Sequence, residues 1–248
     1  MYRKKLIILY SILEVNILKK YYLSVDLINV KENLNDLKQI YDYLDGVIAN
    51  VLKLKSLHKP ILIPYYYGKK EEDCGVSCYA FFAGGYLTLH IFEKRRIAYF
   101  DIVSDKKIDN KKVLTGLKNF MGTFEYNIYD NQIENKVYNE NIFGPHYFCF
   151  GKSKSSIDAD SLLKLSELII KEIKMTPITH PVIVKDKNEM RVFTAIAESH
   201  ICLTVFDKYL VVDGFSCKMF DISKLEEILS NYLEIENKRI YTRLNKVK

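Results

Sequence analysis

The chain has no tryptophan and is poor in proline and glycine, with 5 Pro and 10 Gly among its 248 residues. So little Pro and Gly excludes collagen-like and low-complexity architectures. The chain is rich in other aromatics, with 19 Tyr and 13 Phe, which are typical of β-rich cores. A composition of 48% hydrophobic and 27% charged residues indicates a globular protein of one large or two small domains.

Several functional classes are excluded by what the sequence lacks. The five cysteines are an odd number without a CxxC pair, which favours reduced thiols in the cytoplasm and argues against a zinc site. The net charge of +6 is spread along the chain and forms no basic stripe with interleaved aromatics, so no nucleic-acid partner is expected. There is no P-loop, no GxGxxG and no His/Asp cluster in the sequence, so we expect neither a phosphate-binding enzyme nor a bound metal.

No stretch of the sequence is apolar and long enough to span a bilayer, so no membrane association is expected. Residues 1–19 begin with a basic pair and an apolar run, followed by charged residues without a small-residue cleavage site. We interpret them as an N-terminal extension, with a secretory signal as the minor alternative.

An internal duplication is the main organising feature. Residues 75–105 can be laid over residues 189–217 with a two-residue difference in one turn. The aligned pairs are Ser77 with Arg191, Gly85 with Ser199, Tyr86 with His200, His90 with Thr204, Asp101 with Asp213, and Asp105 with Cys217. Repeat one then covers residues 20–130 and repeat two residues 143–248, joined by the polar run 130–141.

Each repeat shows the same order of predicted elements. Helical apolar spacing occurs at 34–54, 109–120, 161–175 and 222–233, and the remaining periodic segments have the β-rich composition of strands. Asp158 or Asp160, and Asp221, are predicted N-caps. Strand clusters with helices to one side favour an α+β sandwich.

The sequence Glu198-Ser199-His200, followed downstream by Cys217, resembles the self-cleaving segment of the S-adenosylmethionine decarboxylase family. In that family the chain is made as a zymogen that breaks between Glu and Ser, and the Ser becomes a pyruvoyl group. The resemblance implies that Ser199 is the precursor of a covalent pyruvoyl cofactor. It also implies an αββα sandwich of two similar halves.

The two copies complement each other under this resemblance. The second copy has the cleavage Ser and the Cys, but carries Thr204 and Arg191 where the family has its processing His and Ser. The first copy has both of these, as His90 and Ser77. The resemblance therefore implies one composite site, with Ser77 as oxyanion donor and His90 as the base that removes the Ser199 Cα proton.

The resemblance further implies a decarboxylation. The pyruvoyl ketone forms a Schiff base with a substrate amine, the adjoining carbonyl accepts electrons as carbon dioxide leaves, and Cys217 returns a proton. The substrate is then S-adenosylmethionine, for polyamine and specifically spermidine biosynthesis. Glu93, Tyr147, Phe148 and His200 are the candidate substrate-binding residues.

Two alternatives remain open. The family's Pro-Glu pair is absent after His90, where Glu93 comes one residue early. The second hypothesis is therefore that the substrate is a basic amino acid such as ornithine or arginine. The third is an unprocessed, non-catalytic relative. A fused pseudo-dimer completes its own site, so both a monomer and a homodimer are compatible with the sequence.

Overall fold

A computed structural model of the chain describes residues 20–32, 34–65, 70–130, 142–186, 189–197 and 199–244. The N-terminal extension, residues 131–141 of the linker, and Glu198 lie outside the described residues. None of the helices within those ranges is long and apolar enough to cross a membrane.

The first half of the chain forms a six-stranded antiparallel sheet in the order β2-β3-β4-β5-β1-β6. Gly84 has a positive φ of 83° in the tight turn between β3 and β4, as expected of glycine in a short hairpin. The strands are β1 (Tyr21–Ile28), β2 (Ile61–Tyr65), β3 (Gly75–Phe82), β4 (Gly85–Phe92), β5 (Ile97–Ser104) and β6 (Glu125–Asp130).

The second half forms a second six-stranded sheet in the order β8-β9-β10-β11-β7-β12. This is the order of the first sheet, with each strand replaced by the one six places later. The strands are β7 (Ile142–Ser153), β8 (Val182–Asp186), β9 (Glu189–Ile196), β10 (Ser199–Phe206), β11 (Tyr209–Ser216) and β12 (Leu233–Leu244).

The register of the two sheets agrees with the alignment of the two copies. Ser77 pairs with His90 across β3 and β4, and Arg191 pairs with Thr204 across β9 and β10. Gly85 lies opposite Ser104, just as Ser199 lies opposite Ser216. Because each pair occupies the same ladder position, residues that align in sequence also occupy equivalent places in the fold.

Within the described ranges, four α-helices cover the outer faces of the sheets. They are α1 (Leu37–Gly46), α2 (Asn110–Met121), α3 (Ala159–Glu172) and α4 (Ile222–Ser230), and α1 continues as π-helical turns over Val47–Leu52. Each begins at an aspartate whose carboxylate accepts a backbone N–H three residues on, at Asp36, Asp109, Asp158 and Asp221. The predicted caps Asp158 and Asp221 are therefore confirmed, while Asp160 lies in the first turn of α3.

Some predicted boundaries were wrong. The helix expected to reach residue 233 ends at Ser230, because Leu233 already begins the edge strand β12 and is buried in the core. Strand β7 extends over twelve residues instead of the predicted five, since both of its edges are paired along their length, to β11 and to β12.

Two aliphatic cores lie between the sheets and their helices, and a third, aromatic core lies between the sheets. The third core contains Tyr79, Tyr86, Phe148 and Phe193, and polar side chains are buried beside it. Two sheets facing each other with helices outside make the predicted α+β sandwich of two similar repeats, so the fold class is confirmed. The chemistry-bearing residues lie in the layer between the sheets.

Candidate functional site

Ser199 opens strand β10 in a backbone conformation that is unusual for a residue with a side chain. Its φ is 154°, and the residue is 2% exposed. Sparsely populated backbone conformations cost on the order of 1–3 kcal/mol and persist where the surrounding structure enforces them. Ser199 is therefore held under strain between the two sheets.

A row of three side chains joins the two halves at Ser199. The Ser199 Oγ lies 2.9 Å from His90 Nε2, and the Nδ1 of the same ring lies 3.0 Å from Ser77 Oγ. Ser77 and His90 come from adjacent strands of the first sheet, whereas Ser199 comes from the second. The structure thus brings together three predicted site residues that are 109 and 13 positions apart along the chain.

The His90 ring is suited to accept a proton from Ser199. It is fully buried, and this burial lowers the pKa of His90 well below its ordinary value, with further lowering by His200, Arg243 and His146. A neutral ring that donates from Nδ1 to Ser77 presents the lone pair of Nε2 to the Ser199 hydroxyl. The Ser77 hydroxyl can accept a hydrogen bond from Nδ1–H and is therefore compatible with this tautomer of His90.

His200 approaches the same hydroxyl from the other side. Its Nδ1 lies 3.3 Å from Ser199 Oγ and 3.0 Å from His90 Nε2. Its Nε2 points towards Asp213, 3.7 Å from Oδ2, and has no hydrogen-bond partner among the described residues. The predicted substrate-binding residue His200 is thus in contact with Ser199.

Asp213 is a buried carboxylate held by three neighbours. His146 Nε2 lies 2.6 Å from Oδ1, and the Tyr86 hydroxyl donates to Oδ2. Burial by itself raises the pKa of Asp213, but His146 and His200 outweigh it and hold this pKa far below the usual range. Asp213 therefore remains ionised in the centre of the sandwich.

A second charged group lies beside the first. The Arg243 guanidinium donates to Asp26 and lies 2.8 Å from Asp101 Oδ1. It also packs against the rings of Tyr99 and Phe215, at 4.7 and 4.9 Å from their centroids. The side chains of Arg243, Asp26 and Asp101 are all fully buried. Burial raises the pKa of Asp101, but Arg243, His146 and Ser24 together lower it further than burial raises it.

The backbone carbonyl of Ser199 also has a hydrogen-bond donor next to it. The Tyr79 hydroxyl donates to it at 3.2 Å. Burial raises the pKa of Tyr79, so this phenol keeps its proton near neutral pH and remains a donor.

A cavity opens next to the serine. It is small and open to solvent, and Ser77 and Ser199 both line it. The lining also includes Tyr65, Asp73 and Phe92. Arg95 donates hydrogen bonds to Asp73, with 3.0 Å between Arg95 Nε and Asp73 Oδ1. The cavity therefore offers two aromatic side chains and one paired carboxylate.

Three predicted substrate-binding residues are not brought to this cavity. Glu93 accepts from Asn35 at 3.1 Å and lines a separate surface cleft beside the loop that precedes α1. Tyr147 faces the helix layer, with its hydroxyl 3.5 Å from Glu226, because successive strand residues point to opposite faces. Phe148 faces the inter-sheet core and lines a different cavity with Lys20.

Cys217 lies one residue beyond Ser216, the cross-strand partner of Ser199. It is partly exposed and packs against a small aromatic group that contains Phe92, Tyr99 and Phe215. The hairpin thus brings the predicted acid to the same end of β10 as Ser199.

Among the described residues, His146, His200 and Asp213 form a group whose donor atoms lie within 4.8 Å of one another. No sequence pattern predicted such a cluster, because its members are spread over 67 residues. The carboxylate of Asp213 already accepts hydrogen bonds from His146 and Tyr86, so we interpret His146 and Asp213 as a hydrogen-bonded pair with His200 beside it.

Tyr79, His146 and Asp213 were not predicted as site residues. Asp213 had one usable signal, since it aligns with Asp101 in the first copy and both are acidic in strands that are otherwise apolar. Tyr79 is one of 19 tyrosines and His146 stands alone in an aromatic run, so neither could be distinguished without the packing of the two sheets.

The fold and the site together define an internally duplicated αββα sandwich with a composite Ser/His site between its halves. Residues 21–132 match the family described as S-adenosylmethionine decarboxylase. The first half of the chain is therefore similar to this family. The second half, which contains Ser199, lies outside the matched range and shares the strand order of the first.

Two solved structures are similar to the chain. The adenosylmethionine decarboxylase from Aquifex aeolicus has 12% identity and a TM-score of 0.35, with 49% of this chain and 97% of that one covered. A protein of unknown function from Galdieria sulphuraria has 9% identity and a TM-score of 0.22, with 91% and 99% covered. Similarities this low carry no argument about function. No curated protein is significantly similar in sequence to this chain.

Proposed function

We propose that the chain is the precursor of a pyruvoyl-dependent decarboxylase, which cleaves itself between Glu198 and Ser199 and acts on S-adenosylmethionine. The observation that carries this proposal is the row Ser77–His90–Ser199, with successive distances of 3.0 and 2.9 Å across the two halves. A buried serine under backbone strain, next to a neutral imidazole, has the features that self-cleavage requires.

The cleavage chemistry follows from these contacts. His90 takes the Ser199 hydroxyl proton as Oγ attacks the preceding carbonyl, and passes it to the Ser199 nitrogen, which leaves as an amine. The resulting ester then loses the Ser199 Cα proton to His90, the Cβ–Oγ bond breaks, and the upstream chain leaves as a carboxylate. Addition of water releases ammonia and leaves the ketone at the new N-terminus.

The residues around Ser199 fit the group that would form there. When present, a pyruvoyl group supplies an electron-accepting carbonyl next to the carbon that loses carbon dioxide. The Tyr79 hydroxyl, 3.2 Å from the Ser199 carbonyl oxygen, would stabilise negative charge that develops on it. Cys217, at the same end of the hairpin, would return a proton to the product.

The lining of the cavity favours the sulfonium substrate over ornithine or arginine. Tyr65 and Phe92 line the cavity, and aromatic side chains can stack on an adenine, a group that ornithine and arginine lack. The cavity's acidic side chain, Asp73, is already paired with Arg95, which leaves less attraction for an ammonium or guanidinium group. The product would enter the synthesis of polyamines such as spermidine.

The proposal includes the protein's setting. One chain supplies both halves of the site, so a monomer is sufficient, and a homodimer is compatible with it. Five thiols, none of them in a disulfide, suit a reducing compartment such as the cytoplasm.

The test is the intact mass of the freshly purified chain under denaturing conditions. Two fragments, 1–198 and 199–248, with the second lacking its N-terminal amine, would support the proposal. A single stable chain would favour the unprocessed relative. Carbon dioxide release from S-adenosylmethionine, ornithine and arginine in parallel then identifies the substrate, and turnover of a basic amino acid alone would overturn that part of the proposal.

A further inference from the structure

Ser199 Oγ is one corner of a triangle of three polar atoms. The other corners are His90 Nε2 and His200 Nδ1, and the sides measure 2.9, 3.3 and 3.0 Å. The planes of the two rings are nearly parallel, at 7° to each other, with centroids 5.2 Å apart. The serine hydroxyl therefore has an imidazole nitrogen on each of two sides.

The far sides of the two rings face different partners. His90 Nδ1 faces a hydroxyl, that of Ser77 at 3.0 Å, whereas His200 Nε2 faces the carboxylate of Asp213 at 3.7 Å. An ionised carboxylate can only accept, so the ring nitrogen that faces it is stabilised when it carries a proton. A hydroxyl makes no such demand, and it allows the His90 ring to stay neutral.

The buried charged side chains are distributed unevenly between the two aspartates Asp101 and Asp213. Arg243 pairs with Asp26 and Asp101, which leaves the equally buried Asp213 without a guanidinium partner among the described residues. The side chains that face Asp213 with a ring nitrogen are His146 and His200. A His200 ring with a proton on each nitrogen would direct one N–H to Asp213 and the other to Ser199 Oγ. Other neighbours of His200 are His90 and the uncharged rings of Tyr79, Phe193 and Phe215.

We propose that His200, oriented by Asp213, is the proton donor to Ser199 Oγ during cleavage, opposite His90 as the proton acceptor. This inference rests on the proposed self-cleavage. It makes His200 a catalytic residue, because it contacts the reacting oxygen, and Asp213 a positioning residue that acts through it.

The donor has its largest effect at the elimination step. The Cα–H electron pair becomes the Cα–Cβ double bond and its proton goes to His90, while the Cβ–Oγ bond breaks and its pair stays on Oγ. A hydrogen bond from His200 Nδ1–H to Oγ stabilises the charge that develops on the departing carboxylate. Loss of that donor should therefore leave the ester formed but slow to break.

The experiment compares the wild type with Asp213→Asn by denaturing intact mass, with and without hydroxylamine added at denaturation. Hydroxylamine cleaves an accumulated ester and releases a fragment that begins with an intact Ser199 amine. We expect Asp213→Asn to form the pyruvoyl-type fragment at least about 100-fold more slowly and to release the hydroxylamine fragment instead. Asp213→Glu, which keeps the carboxylate, should partly restore complete cleavage.

The matched control is Asp101→Asn, which removes an equally buried carboxylate from the equivalent position of the other sheet. We expect it to lower thermal stability without accumulating ester. If Asp213→Asn does not fold, His200→Gln tests the same donor. Cleavage at the wild-type rate, or a folded variant that resists hydroxylamine, would overturn the inference. An uncleaved wild type would instead overturn the proposed function.

Discussion

Equivalent positions in the two sheets differ in the space and the partners they offer. At the start of β10, Ser199 carries a side chain that reaches His90 across the sandwich at 2.9 Å. At the start of β4, a Cβ atom on Gly85 would lie 2.0 Å from the Val103 carbonyl oxygen and 2.6 Å from the Phe82 ring. The first position holds a reactive side chain, and the second has no room for one.

The residues near these two positions differ in the same way. Where the first sheet has Ser77 and His90, the second has Arg191 and Thr204. Arg191 is buried and pairs with Glu189, which in turn pairs with Lys20, and Lys20 donates to the Gly84 carbonyl at 3.3 Å. The two repeats thus offer two equivalent places, of which one holds Ser77 and His90 and the other holds an ion-pair cluster.

The largest effect is expected when the reactive side chain is removed. We expect Ser199→Ala to abolish cleavage completely, because no oxygen remains to attack the preceding carbonyl. Intact mass after several days measures the result. Ser166→Ala, at another fully buried serine that contacts Thr194 at 3.0 Å, should still cleave. Two fragments from Ser199→Ala would refute the assignment of the scissile bond.

Removing the base should have the next largest effect. We expect His90→Gln to slow cleavage by roughly 10²–10⁴-fold, the usual contribution of a general base. The rate constant is read from the decay of the full-length mass. His58→Gln, at a histidine of the same half outside the space between the sheets, serves as the control. An unchanged rate in His90→Gln would show that another group removes the protons.

The hydrogen bond from Tyr79 to the Ser199 carbonyl can be tested separately from cleavage. We expect Tyr79→Phe to slow carbon dioxide release by about 100-fold, because a donor to a developing oxyanion is lost, while the chain still cleaves. Tyr147→Phe removes an equally buried hydroxyl on the helix side of the second sheet and should change neither reaction. Equal losses in both variants would contradict a specific role for Tyr79.

The pH dependence of cleavage tests the state of His90. Burial, His200, Arg243 and His146 lower its pKa, so the neutral, proton-accepting form persists below the ordinary value of about 6.5. We expect the cleavage rate constant to stay level from about pH 8 to about pH 6. The groups that face the ring are Ser77, Tyr79, Ser199, His200 and Phe215, with Asp213 beyond them.

A rate that halves near the ordinary histidine pKa would contradict this assignment. The linked effect on stability has a defined sign. The unfolded chain binds a proton at His90 at a higher pH than the folded chain does, so this group's contribution favours folding less as the pH falls below about 6.5.

The smallest effect on chemistry is expected at the equivalent position of the first sheet. Gly85→Ser should produce no second cleavage, because Arg191 and Thr204 replace the processing pair there. It should lower the free energy of unfolding by about 1–3 kcal/mol through overpacking. Chemical denaturation measures the loss. Gly116→Ser is the control, since a Cβ there would meet Tyr43 at an ordinary 3.7 Å. A cleaved Gly85→Ser chain would show that the two positions are still interchangeable.

Features that depend on local pattern could be predicted from the amino-acid sequence. The alignment of the two copies predicted that Ser77 and Arg191 occupy equivalent places, and the strand registers agree with this. Such a register is well defined because a slip by one residue would turn the buried side chains of a strand outward. Asp158 and Asp221 marked helix starts because a carboxylate satisfies the first backbone N–H groups. The substrate residues could not be placed in this way, and Tyr147 shows why: its neighbour in the strand faces the opposite side.

The contacts in the space between the sheets depended on tertiary packing. No local pattern links His200 to His90, or Arg243 to Asp26, because these pairs are 110 and 217 residues apart along the chain. The same packing lowers the pKa of His90 by burial, and it places His146 and His200 where they lower the pKa of Asp213. A short motif was therefore enough to single out Ser199 as a candidate, whereas the groups that surround it were brought together by the packing of the two sheets.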